Sequence, residues 1–100
     1  MINENVEYEF MGFDPEYEIK SVIATIADKL YFSAPSDSAM KLAVKKSQGA
    51  IKASCRIASQ VGTFVAEATG ENPIRAIQRL EKRIKYQLDS WKMNRFGRAF

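Results

Sequence analysis

The feature that most constrains the fold is a long amphipathic pattern in the last third of the chain. From Pro73 to Trp91 no glycine or proline interrupts the sequence, and apolar residues recur at three- and four-residue steps. This period predicts a helix of about five turns with one buried side. Asn72 is placed to be its N-cap, and the helix is expected to end near Trp91 or Met93, with residues 94–100 as a flexible tail. The apolar stripe consists of Ile74, Ile77, Leu80, Ile84, Leu88 and Trp91.

A second helical pattern lies nearer the N-terminus. Asp14 and Pro15 form a typical helix start, with Asp14 as the predicted N-cap. The pattern extends to Phe32, and it cannot continue through the turn-forming segment around Pro35. The apolar side of this predicted helix consists of Ile19, Val22, Ile23, Ile26 and Leu30.

Four other segments alternate apolar and polar residues with the two-residue period of a β-strand. The first runs from Val6 to Phe13, and the other three lie between the two helices, separated by turns at Gly49 and Gly62. The sequence therefore predicts an α+β fold, β-α-β-β-β-α, with both helices on one face of a four-stranded sheet whose last three strands form an antiparallel meander. The aromatic residues expected in the core are Tyr8, Phe10, Phe64 and Trp91.

Length and composition fit a single domain. The chain has 100 residues, 46% of them hydrophobic, which is enough for one modest core over about residues 6–93. No apolar run approaches the ~20 residues of a membrane span, and residues 1–9 lack the pattern of a signal peptide. We therefore expect a cytoplasmic protein without a membrane partner.

The residues needed for common kinds of catalysis are missing. The chain has no histidine and one cysteine, Cys55, so the usual zinc sites and an intramolecular disulfide are excluded. Cys55 lies in an apolar register without an imidazole to activate it, so it is expected to be an inert core residue. No phosphate-loop, dinucleotide or nucleophile-elbow motif is present. The chain is predicted not to be an enzyme and to use no metal or cofactor.

Charge is distributed unevenly along the chain. Residues 1–50 contain five bases and eight acids, whereas residues 51–100 contain ten bases and four acids, so the halves carry −3 and +6. A solvated helix face explains part of this, and Glu81 with Lys85 is spaced for a supporting ion pair. Such asymmetry also suggests a polyanionic partner. Opposite the apolar stripe of the last helix lie Arg75, Arg79, Lys82, Arg83 and Tyr86.

The second half of the chain resembles the short hibernation-promoting factors and ribosome-associated inhibitors. A glycine turn at Gly62 leads into a strand of alternating small apolar and acidic residues, a short acidic link that ends at Asn72, and a long basic helix. The family's Asp-x-Tyr signature at this helix start is replaced here by Asn72 and Ile74. The resemblance implies a stress-response protein that binds the RNA of the small ribosomal subunit and inhibits translation.

In this family, basic residues on both helices contact the RNA. By position, Lys20 and Lys29 match the first helix, and Lys85 extends the basic stretch of the second. The predicted RNA-binding set is Lys20, Lys29, Arg75, Arg79, Lys82, Arg83, Lys85 and Tyr86. We expect the charges of Arg75, Arg79, Lys82 and Arg83 to be removable with little change in stability. The alternative is a protein-interaction module of the same fold, in which the acidic first strand and the basic last helix meet a partner or a second copy in a homodimer.

Overall fold

The computed structural model describes residues 5–97, which form four strands and two helices. The elements are β1 (Val6–Met11), α1 (Tyr17–Ser33), β2 (Ala39–Ser47), β3 (Ala50–Ser59), β4 (Gly62–Gly70) and α2 (Pro73–Gly97). The predicted order β-α-β-β-β-α is confirmed, and the fold is α+β. No helix in this range is both long and apolar enough to cross a membrane.

The four strands form one mixed sheet in the order β1-β2-β3-β4. β1 runs parallel to β2, with Val6 opposite Met40, because α1 carries the chain back across the sheet between them. β2, β3 and β4 are antiparallel neighbours, which confirms the predicted meander. The turn between β2 and β3 places Gln48 and Gly49 at φ 53° and 79°, as a two-residue type I′ turn requires.

One face of the sheet and the apolar sides of both helices share a single core. Ile77, Ile84 and Leu88 of α2 are completely buried, and Ile23 and Ile26 of α1 lie in the same cluster. The inward residues of the sheet come from one register, as their alternation predicts. The buried strand residues are Val6, Met40, Leu42, Val44, Ile51, Ala53, Cys55, Ile57 and Ala68.

The start of α1 differs from the sequence prediction. The helix begins at Tyr17 with Glu16 as N-cap and without a capping side-chain bond, so the assignment of Asp14 as N-cap is wrong. The Asp14 carboxylate instead pairs with Lys20, at 3.2 Å between Oδ1 and Nζ. β1 ends at Met11 because the chain turns at Gly12. Gly12 has φ 84°, and a side chain there would collide with the backbone of β2.

The end of α2 and the burial of two aromatic residues also differ from the sequence prediction. α2 continues to Gly97, past its predicted end near Trp91 or Met93, because no helix-breaking residue intervenes. Residues 98–100 of the predicted tail lie outside the described range. Tyr8 remains 39% exposed because β1 is an edge strand. Trp91 is half-buried, with its ring edge-on to Phe64 at 6.2 Å between centroids.

Candidate nucleic-acid interface

The first turn of α2 is fixed to the end of β4. The Asn72 side-chain oxygen accepts a hydrogen bond from the Arg75 N–H at 2.9 Å, which confirms the predicted N-cap. The Asn72 carbonyl accepts a second bond from the Ala76 N–H at 3.1 Å. Gly70 allows the strand to touch the helix, since a Cβ there would lie 2.6 Å from the Ala76 nitrogen. The basic helix is therefore attached to the sheet in a defined orientation.

One side of α2 runs along the outer edge of β4. Three side chains at four-residue intervals, Arg79, Arg83 and Gln87, donate hydrogen bonds to carbonyl oxygens of this strand. We call them the capping row. An edge strand leaves alternate backbone groups unpaired, and the capping row satisfies the carbonyls. The pairs are Arg79 Nη1 with Thr69 O at 2.9 Å, Arg83 Nη1 with Glu67 O, and Gln87 Nε2 with Val65 O at 2.8 Å.

Arg79 and Arg83 are therefore engaged in hydrogen bonds within the fold. Arg79 also lies 3.8 Å from a carboxylate oxygen of Glu71, with both side chains at least half exposed. A hydrogen bond from the backbone N–H of Glu71 lowers the pKa of its carboxyl, and Arg79 and Arg75 lower it further. This end of α2 combines an N-cap, an ionised carboxylate and two arginines.

Two lysines of α2 are placed differently. Lys82 and Lys85 are exposed, and across residues 5–97 neither ammonium group forms a salt bridge or hydrogen bond. The ion pair that the spacing of Glu81 and Lys85 suggests is not formed. We call Lys82 and Lys85 the unpaired lysines, because their charge is available to a partner.

An open groove of about 620 Å³ lies between α2 and β4. Residues 65–67 form its strand wall, and Lys82, Arg83, Tyr86 and Gln87 form its helix wall. Tyr86 is 75% exposed, so the structure brings this predicted residue beside two predicted cations. Gln87 was not predicted to belong to the site. Its spacing could have indicated this position, since residues 79, 83 and 87 all have long polar side chains on one side of the helix.

The two predicted RNA-binding cations of α1, Lys20 and Lys29, offer less available positive charge than those of α2. Lys20 is committed to Asp14, and its Nζ lies 5.9 Å from the centroid of the Phe10 ring. Lys29 is exposed. With Glu18 and Asp28 on the same helix, α1 carries no net charge. Of the two helices, only α2 carries a net positive charge.

Cys55 is buried in β3, as predicted. Burial raises the pKa of its thiol to about 12, so the reactive thiolate does not form at neutral pH. Within the described part of the chain no group of three acidic or cysteine side chains is arranged to hold a metal ion.

Similarity to other proteins is visible in structure and not in sequence. Neither a protein-family model nor a curated protein sequence matches the chain. A ribosomal subunit interface protein from Coxiella burnetii superposes with a TM-score of 0.73 at 12% identity, over 87% of this chain and 96% of that one. The Protein Y N-terminal domain of Thermus thermophilus gives 0.61 at 15% identity, over 82% and 97%. The shared fold agrees with the family resemblance predicted from the sequence.

Proposed function

We propose that this protein, which has the fold of ribosome-interface proteins, is a hibernation factor that binds the RNA of the small ribosomal subunit through α2 and so inhibits translation. The observation that carries the proposal is the exposed basic side of this helix. Pro73–Gly97 contains seven bases and two acids, a net charge of +5. Within it, the unpaired lysines Lys82 and Lys85 have no partner in the described residues.

The geometry of α2 suits contact with an RNA backbone. A helix of 25 residues is about 37 Å long and offers its cations on a rigid rod. Such a surface binds phosphates without reading bases, and double-stranded RNA is recognised mostly by shape and backbone. Each lysine contributes a point charge to this contact.

Arg79 and Arg83 contribute in a second way. A guanidinium has five N–H donors, and each of these arginines uses an Nη1 donor on a β4 carbonyl. The second Nη of Arg79 lies near Glu71, whereas Arg83 forms no salt bridge in the described residues. The bond to β4 restricts the Arg83 side chain, so less side-chain entropy is lost when its other donors bind a phosphate. Lys20 and Lys29 of α1 are proposed as peripheral contacts. A ribosomal partner also implies a cytoplasmic protein with no catalytic step.

Co-sedimentation with ribosomal subunits tests the proposal. We expect the parent protein to sediment with small subunits at low salt and to be released as salt rises. Lys82→Glu with Lys85→Glu should abolish sedimentation, because it replaces attraction with repulsion at unpaired positions. Lys41→Glu with Lys45→Glu makes the same charge change on the outer face of β2 and serves as the matched control, which should still sediment.

The outcomes separate the possibilities. Loss with both variants would show a dependence on net charge alone, and retention with both would exclude α2 as the interface. Single substitutions sharpen the result, since each phosphate contact removed should lower the salt slope by about 0.7–0.9. A parent that does not sediment even at low salt would contradict ribosome binding.

A second candidate function rests on the other edge of the sheet. β1 carries Glu7 and Glu9 on its exposed side, and no side chain among residues 5–97 caps its outer backbone groups. A protein-interaction module would use this acidic edge against the basic α2 of a second copy. Such a homodimer would dissociate as salt rises, and sedimentation equilibrium at increasing salt measures this directly.

A further inference from the structure

Building on the proposed function, we propose that the groove between β4 and α2 binds the base of one unpaired RNA nucleotide, stacked on Tyr86. This goes beyond phosphate contact, because it predicts a preference for single-stranded RNA. The groove has a volume of about 620 Å³ and opens on the same side of α2 as Lys82. Its two walls and its backbone edge each supply one element of a base-binding site.

The walls supply an aromatic ring and an aliphatic surface. Tyr86 is 75% exposed on the helix, and Val65 is 57% exposed on the strand. No other described aromatic ring contacts the Tyr86 ring. Exposed aromatic rings beside cations are what single-stranded nucleic acids stack on.

The edge of β4 supplies hydrogen-bond donors. Ser59 and Gly62 flank the two-residue turn before β4 and form a hydrogen-bonded pair, so backbone groups alternate from there along the strand. By this alternation the N–H groups of Val65 and Glu67 point away from β3, on the same side as their capped carbonyls. Neither N–H has an acceptor within residues 5–97. RNA bases present acceptors on their edges that fit such donors.

The charges around the groove favour RNA. Lys82 and Arg83 lie four and three residues before Tyr86, on the same helix side, where they can hold the phosphate next to a stacked base. The Glu67 carboxylate also lies at the groove, and Lys52 pairs with it at 3.1 Å. That ion pair offsets the only acid among the groove residues.

An extended peptide is a poorer occupant of the same groove. A strand that adds to a sheet edge needs both the N–H and the carbonyl groups of that edge. Along β4 the capping row (Arg79, Arg83 and Gln87) already occupies the carbonyls of residues 65, 67 and 69. Only the donors remain, and an RNA base can use donors alone.

Titration of fluorescently labelled RNA tests the site. We expect Tyr86→Ala to weaken binding of a ten-nucleotide single strand by about 5- to 150-fold, with the salt slope unchanged because no phosphate contact is lost. Tyr86→Phe should bind like the parent. Tyr17→Ala removes another exposed tyrosine, 84% exposed on α1, and should change nothing. A duplex of the same sequence should bind Tyr86→Ala and the parent equally, since its bases are not free to stack.

The same titration separates this proposal from the proposed function. If Lys82→Glu with Lys85→Glu loses RNA while Tyr86→Ala binds the single strand like the parent, the phosphate-binding role stands and the base site is refuted. An equal loss of single strand and duplex with Tyr86→Ala would also refute it. If the parent binds neither RNA, both proposals fail. Thermal melts confirm that each variant is folded.

Discussion

The capping row and the unpaired lysines lie within two turns of α2, yet they differ in what their side chains do. Arg79 and Arg83 bond to the edge of β4, whereas Lys82 and Lys85 have no partner in residues 5–97. The two arginines and the two lysines carry the same net charge. They differ because the arginines lie beside the edge strand β4 and the lysines form no hydrogen bond with it. A basic helix face therefore contains cations whose bonds also hold the fold and cations that form no bond within it.

The largest expected difference comes from reversing charge at each pair. Arg79→Glu with Arg83→Glu should lower the free energy of unfolding by about 2 kcal/mol, since two hydrogen bonds of about 1 kcal/mol each are lost. Lys82→Glu with Lys85→Glu should change it by less than about 0.5 kcal/mol, as for ordinary surface substitutions. Urea denaturation measures both. Equal stabilities would show that the capping bonds contribute nothing and would remove the distinction.

Gln87, the uncharged member of the capping row, allows the contribution of the hydrogen bond to stability to be measured without a change in charge. Gln87→Ala should cost about 0.5–1.5 kcal/mol of stability, because the Val65 carbonyl loses its donor. The salt dependence of RNA binding should not change. Gln78→Ala is the matched control, since Gln78 is exposed on α2 and bonds to no residue in the described range. If both glutamines give the same melt, the contact with β4 is without energetic effect.

The smallest expected effect concerns Glu71. Its pKa is lowered in the folded protein, first by its backbone hydrogen bond and then by Arg79 and Arg75. The stability it contributes is therefore present above its unfolded pKa and is lost as pH falls through the lower folded pKa. Glu71→Gln should remove this part of the acid dependence, which lies below the ordinary pKa of a glutamate. Identical stability-against-pH profiles for variant and parent would show that the Glu71 carboxylate does not stabilise the folded protein.

Local patterns were enough to predict the elements of the fold. Asn72 caps α2 as predicted because its partner, the Arg75 N–H, is three residues away. The predicted start of α1 was wrong because contacts outside the helical period determine it: Gly12 packs against the backbone of β2, and the Asp14 side chain pairs with Lys20 instead of capping the helix. Sequence periodicity carries no information on such contacts.

The candidate site was predictable only in part. The basic side of α2 and the exposed Tyr86 follow from the helical period. The capping row does not, because it requires knowledge of which strand lies beside the helix. Once the neighbouring strand is known, the four-residue spacing follows from the geometry of helix and strand. Four residues of helix rise about 6.0 Å and two residues of antiparallel strand about 6.8 Å, so every fourth helical side chain reaches every second carbonyl.

The capped edge of β4 also limits how copies of this protein can join. A sheet with two open edges can accept a neighbour on each side, and such additions continue into a fibre. With β4 blocked by Arg79, Arg83 and Gln87, β1 is the one edge of the described sheet that can take a strand. Joining two copies at β1 uses up both open edges at once. Growth by strand addition therefore stops at a pair, however concentrated the protein becomes.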